Sequence, residues 1–235
     1  MLGYALTLLI LLVLYRIGVA YIRKIPAKKW TNAIFVACIF LPYLYCVFTI
    51  LQDVGATDWN FLNTLPTANV SPFTFFICPL CLVLPQKANR YLLTLIALLS
   101  FGMLCAGSIT CIFNIYRNYK FHLTIALDTL NHFVISFFGV YLVKTNQTEF
   151  TVKDCITSGL SIIFVAVFMF VHNLVFRTAF FGLSLYGGHN IYNIVVCESG
   201  ILSAIIYFVG LSCVLVLGYF YQKLLSKKQT TKNKQ

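Results

Sequence analysis

Between Leu2 and Tyr221 the sequence is a succession of apolar runs, most of them about 20 residues long, separated by short polar or basic stretches. That length is what a helix needs to cross roughly 30 Å of hydrocarbon at about 1.5 Å per residue. Inside a bilayer only a helix or a closed barrel satisfies its own backbone. Charged residues make up 10% of the chain and hydrophobic ones 60%, whereas a soluble domain carries about 25% charged residues. The expected fold is therefore all-α: a polytopic membrane bundle of about seven transmembrane helices, with no separate soluble domain.

The spans fall at about Leu2–Tyr21, Thr31–Leu51, Val70–Leu84, Tyr91–Ile115, Leu123–Val143, Cys155–Phe176 and Ile194–Tyr221. The third is short and contains Pro72 and Pro79, which predicts a kinked or partly re-entrant helix. Pro85 to Arg90 reads as a tight basic loop. Residues 1–222 form a single transmembrane domain, and 223–235 form a basic tail, either solvated or laid on anionic lipid. The first run is long and is followed by a basic cluster, as in a membrane span and not a cleaved signal peptide.

The formal net charge is +11, and its distribution is a topology signal before it is anything else. Thirteen Lys and Arg residues fall on one side: Arg23 to Lys29, Lys87 with Arg90, Lys144 with Lys153, and Lys223 to Lys234. The other side has three: Arg117, Lys120 and Arg177. The bias predicts a multi-pass cell-membrane protein with its N-terminus outside and its C-terminus in the cytoplasm. The partners expected are membrane lipids. The cations sit on loop ends and form no basic domain for nucleic acid. Protein partners and cofactors are not indicated.

Nine cysteines are present, nearly all within apolar runs, and read as small core residues. Cys78 and Cys81 form a C-x-x-C without the βαβ context of a redox motif. No zinc spacing accompanies them, so no metal is expected.

The run Leu123–Val143 is apolar enough to span, yet carries Asp128, Asn131 and His132. Asp128 and His132 are one helical turn apart on one face. An Asp in hydrocarbon costs roughly 2.5–3.5 kcal/mol on the insertion scale, so such a group is expected to face a cavity, a partner or the protein interior. With the topology above, Asp128 and His132 lie in the outer half of the bundle. So do Thr67, Asn69 and Ser71 at the entry of the third span, and His172 and Asn173 near the end of the sixth. His189, Asn190 and Tyr192 follow in the next loop, and Glu198 begins the last span.

This group supports several chemistries. His132 is a candidate base with Asp128 as its orienting carboxylate, and Ser71 or Thr67 is the candidate nucleophile. Asn69 or Asn173 is a candidate oxyanion donor. The remaining polar residues (Asn131, His172, His189, Asn190, Tyr192 and Glu198) are candidate substrate-binding groups. In a transporter, Asp128, His132 and Glu198 would instead relay protons or bind a small solute beside the proline-broken third span. Simple helix–helix pairing is the third reading. G-x-S-x-G, H-E-x-x-H and Walker-type loops are absent from the sequence.

The order of short motifs carries a resemblance. Leu65-Pro66-Thr67-Ala68-Asn69-Val70-Ser71 opens the third span, Asp128 and His132 follow in a later one, and His172-Asn173 leads to the turn Gly187-Gly188-His189-Asn190-Ile191-Tyr192-Asn193. In this order the chain resembles the bacterial YwaF-type integral membrane proteins. These are distantly similar in architecture to the androgen-induced-gene type of intramembrane hydrolases and acyltransferases. The resemblance implies a compact helical bundle with a His and a hydroxyl or thiol nucleophile inside the membrane, with His132 in the His position. Relatives carry His and Cys at the start of the third span, where this chain has Asn69 and Ser71. The function expected is an intramembrane hydrolase or acyltransferase acting on a lipid-like ester, the alternatives being a small-solute or proton-coupled transporter and a non-catalytic membrane subunit.

Overall fold

The computed structural model describes residues 2–55, 62, 65–66, 69–117, 123–148, 150–176, 183 and 200–230. Its helices are α1 (Leu2–Ile22), α2 (Lys29–Val54), α3 (Val70–Ile77), α4 (Gln86–Arg117), α5 (Leu123–Lys144), α6 (Val152–Phe176) and α7 (Gly200–Thr230), and a 3-10 turn, Cys78–Leu82, extends α3. No strand occurs among the described residues. Five of these helices, α2, α4, α5, α6 and α7, are long and apolar enough to cross a membrane. Two described stretches are shorter, Leu6–Ile22 and Val70–Leu82. The protein is a helical, membrane-embedded, multi-pass bundle.

Packing contacts show how the helices alternate. Position 107 of α4 meets 132 of α5, and 139 of α5 meets 100 of α4, so the two run antiparallel. Leu98 meets Gly218 and Gly102 meets Val214, so α7 is also antiparallel to α4. Arg90 binds Asp154 and Ser158 binds the Tyr91 carbonyl, which sets α6 parallel to α4. Phe35 lies by Phe138, while Cys46 reaches the Thr124 carbonyl, so α2 runs against α5. One consequence is that the basic stretches meet at one end of the bundle. Lys144 donates to the Ile25 carbonyl at 3.2 Å, Asn32 to Gln147 at 2.5 Å, and Arg23 to the Leu225 carbonyl at 2.9 Å.

α4 is the central pillar. Two-thirds (67%) of its apolar window is buried, against 22–39% for the other long helices. Those other helices present large apolar side chains outward, among them Leu14, Phe164, Phe168 and Phe176. In water such a surface would aggregate; in lipid it is the expected exterior. The cysteines divide in the same way. Cys46, Cys78, Cys81 and Cys155 are buried, whereas Cys38 and Cys213 are exposed on the apolar exterior, which a weakly polar thiol tolerates. Cys197 lies outside the described residues.

Helix ends depart from the sequence expectation in three places. The presumed loop at Pro85–Arg90 is already the first turn of α4, with the Asn89 amide donating to the Pro85 carbonyl at 2.9 Å. Proline at the start of a helix forfeits no intrahelical bond, so the boundary sits at Pro85. Asp154 likewise falls in the first turn of α6, where its carboxylate accepts from Thr151. The basic tail continues as helix to Thr230, since lysines are good helix formers and lose nothing by emerging into water. The proline-bearing third span behaves as expected: the α-helix gives way to the 3-10 turn at Cys78, with Pro79 in its first positions.

Small residues let the pillar's neighbours come close. A Cβ on Gly218 would lie 1.9 Å from the Leu98 carbonyl oxygen, and one on Gly139 would lie 2.5 Å from the Ser100 Cβ. A Cβ on Gly210 would meet nothing within 4 Å. We therefore expect Gly218→Ala to cost about 1–3 kcal/mol or more through forced separation of α4 and α7. Gly210→Ala should be neutral or stabilising by up to ~1 kcal/mol from helix propensity. Thermal unfolding of the two variants in detergent checks this, and equal midpoints would contradict the packing.

Candidate functional site

The Asp128–His132 spacing does bring the two side chains onto one face of α5, but the hydrogen bond differs from the expected dyad. His132 is 5% exposed, and its Nδ1 lies 2.7 Å from the Asp128 backbone carbonyl. A carbonyl only accepts, so Nδ1 carries a proton, which in the neutral tautomer puts the lone pair on Nε2. The nearest Asp128 carboxylate oxygen is 3.8 Å from Nδ1, beyond hydrogen-bonding distance. The ring is held from the other side by Phe75 of α3, edge to face at 5.1 Å between centroids. Gly107 of α4 backs it: a Cβ there would meet the His132 Cβ at 2.9 Å.

The Asp128 carboxyl group is released from that contact and half-exposed, at 47%. It lines a cavity of about 250 Å³ between α2, α3, α4 and α5. The walls are Tyr43, Cys46 and Ile50 of α2, Pro72 and Phe75 of α3, Thr110 of α4, and Thr124, Ile125, Asp128 and Asn131 of α5. Among the described residues no Lys or Arg lines it. Asn131 is fully buried at the wall, and neither its amide nitrogen nor its carbonyl oxygen has a hydrogen-bond partner among the described residues.

The other expected site residues sort by position. Asn69 caps α3, its Oδ1 accepting from the Val70 amide at 2.8 Å. Ser71 is half-buried one residue from Pro72 but is not part of the cavity wall. Asn173 is buried and donates to the Leu183 carbonyl at 2.6 Å, and His172 packs on Phe176 at 4.6 Å. Both lie at the same end of the bundle as the cavity but do not line it. Thr67, His189, Asn190, Tyr192 and Glu198 lie outside the described residues. The residues that the sequence did not single out are Tyr43, Cys46, Phe75, Thr110 and Thr124. The two threonines carried a faint signal as hydroxyls within spans; the aromatics carried none.

No family model, curated protein or solved structure matches this chain.

A buried amide with no partner costs about 1–3 kcal/mol. Leu has the same branching as Asn and no polar atoms. Asn131→Leu should therefore leave the stability of the unliganded protein unchanged or raise it by up to ~2 kcal/mol. Thermal unfolding in detergent measures this. A loss above about 1 kcal/mol would mean that the amide is already satisfied within the protein.

Proposed function

We propose that this protein binds a small cationic solute, of the primary-amine class, in the cavity at Asp128, and that it does so as a carrier or receptor in the membrane. The observation that carries this reading is a half-exposed carboxylate in an apolar cavity whose walls, among the described residues, offer no cation. Such a charge in a membrane needs a counter-ion, and the cavity leaves that place to the solute or a proton. Tyr43 and Phe75 are aromatic residues of the wall, a residue type that favours an ammonium group. Asn131 offers an additional donor and acceptor. A volume near 250 Å³ suits a compact solute, being below the usual range for drug-sized ligands.

One observation favours the hydrolase or acyltransferase reading: the Nδ1 bond leaves His132 Nε2 as a base. That reading also draws on the motif order shared with the YwaF-type proteins. It requires a hydroxyl at the imidazole, from Ser71 or Thr67; Ser71 is not part of the cavity wall, and Thr67 lies outside the described residues. The test compares butylamine with butanol, which match in size and differ in charge. Butylamine should raise the unfolding midpoint, by the equivalent of about 2.7 kcal/mol at a hundred times its dissociation constant, and butanol should not. Asp128→Asn should abolish the difference. Equal effects of the two compounds would overturn the solute reading. Labelling by a serine-reactive lipid-like probe that disappears in His132→Ala would establish the hydrolase instead.

We further infer seven crossings, with the N-terminus outside and the basic end of the bundle in the cytoplasm of the cell membrane. The thirteen-to-three distribution of Lys and Arg supports this orientation. A C-terminal tag should be protected from protease in intact cells and an N-terminal tag cleaved; the opposite pattern would invert the topology.

A further inference from the structure

A second hollow, of about 740 Å³, lies at the basic end of the bundle, opposite the Asp128 cavity. It forms where the 3-10 turn after α3 meets the start of α4, the start of α2 and the loop after α5. Its polar wall is made of carboxamides and two cations: Asn32, Gln86, Asn89, Asn146, Gln147, Lys87 and Arg90. Among the described residues no carboxylate lines it.

Two of the amides are committed acceptors. Asn89 donates its Nδ2 to the Cys81 carbonyl at 2.8 Å, so its Oδ1 must point away from that carbonyl. The orientation of Asn32 is fixed by a chain of bonds. Thr145 gives its hydroxyl proton to the Tyr141 carbonyl. It therefore receives from Gln147 Nε2 at 3.0 Å, which turns Gln147 Oε1 toward Asn32 Nδ2 at 2.5 Å. The buried Oδ1 atoms of Asn32 and Asn89 both lack a partner among the described residues. Two hydrogen-bond donors are wanted here.

The charges ask for something different. Arg90 is matched by Asp154, which accepts from its Nε at 3.0 Å and from a second guanidinium nitrogen. Lys87 is exposed, and among the described residues no carboxylate engages it. The wall therefore carries one net positive charge. Leu80, Leu82 and Val83 beside it are exposed apolar side chains on or next to the 3-10 turn.

We propose that this hollow holds the headgroup of an anionic glycerophospholipid, of the phosphatidylglycerol type. The phosphate pairs with Lys87, two headgroup hydroxyls donate to Asn32 Oδ1 and Asn89 Oδ1, and the acyl chains leave along Leu80, Leu82 and Val83. A zwitterionic headgroup fits less well, because its ammonium would face a wall that is already positive. The shared chemistry is a glycerophosphate ester, and a soluble one would satisfy the polar wall without using the apolar exit.

The test is native mass spectrometry of the purified full chain in detergent, titrated with phosphatidylglycerol, phosphatidylmethanol or phosphatidylcholine. Phosphatidylmethanol keeps the phosphate charge and lacks the hydroxyls. Phosphatidylglycerol should be retained best and phosphatidylcholine least. Lys87→Gln should weaken phosphatidylglycerol by about fivefold, the value of one lysine near an anionic surface. Lys153→Gln, at the same end but outside the hollow, should not. Equal retention of all three lipids, or equal effects of the two lysine substitutions, would overturn the site. Equal binding of phosphatidylglycerol and phosphatidylmethanol would overturn the role of the two amides. Displacement of the lipid by millimolar glycerol phosphate would overturn the lipid source and assign the hollow to a soluble ester.

Discussion

The close approach of α4 to α5 and α7 sets the geometry of everything else. Apolar side chains gain little by leaving lipid for one another, so helices in a bilayer hold together by fitted packing and by hydrogen bonds. Here the fit depends on small residues at Gly107, Gly139 and Gly218. Buried polar contacts fix the register. Gln222 of α7 donates to Ser100 of α4 at 2.7 Å, and Tyr15 of α1 joins Ser136 of α5 to Tyr221 of α7. Because Gly107 draws the His132 backbone against α4, the neighbouring turn of α5 is committed too. Asp128 and Asn131 face the gap toward α2 and α3.

α3 gives the bundle its two chemically opposite ends. Eight α-helical residues and five in a 3-10 turn rise only about 22 Å, less than the roughly 30 Å of a bilayer core. An element that short leaves space at either extremity. Pro72 and Phe75 wall one hollow, and Cys81, Leu82 and Leu84 wall the other. Among the described residues, one hollow presents a carboxylate without a lining cation, and the other presents cations without a lining carboxylate. A single broken span thus shapes both, and its prolines explain why it is broken.

Where the helices lie was readable from the sequence, because the bilayer sets their length and hydropathy reports it directly. The conjunction of Asp128, Asn131 and the basic loops at opposite ends followed from the same rule. Azimuth was not readable. In a soluble helix the apolar stripe tells which face is buried, but in a bilayer both faces are apolar and the stripe vanishes. Depth therefore grouped Asn69, His172 and Asn173 with Asp128 without revealing that they serve as a cap, an aromatic contact and a tether. The same blindness hid Tyr43 and Phe75, which are ordinary aromatics until their direction is known. The choice of His132 between a carboxylate and a backbone carbonyl was a rotamer question, and spacing does not decide rotamers.

The chain contains its own comparison for the meaning of Asp128. Asp154 shows what a structural carboxylate looks like at the edge of this bundle. It is 2% exposed, accepts from Arg90 and from the Thr151 hydroxyl at 2.9 Å, and ties α6 to α4. Removing any partner would leave a buried charge uncompensated. Asp128 is built differently. Among the described residues, its nearest cationic candidate is an imidazole 3.8 Å away whose Nδ1 proton is already given to a backbone carbonyl. The carboxylate faces a hollow beside an amide with two unpartnered atoms. A helix-pairing role would have favoured the first construction, since an unmatched polar group in apolar surroundings costs more than a matched one returns. A carboxylate kept half-open, with its counter-charge left to come from elsewhere, fits a solute that enters and leaves.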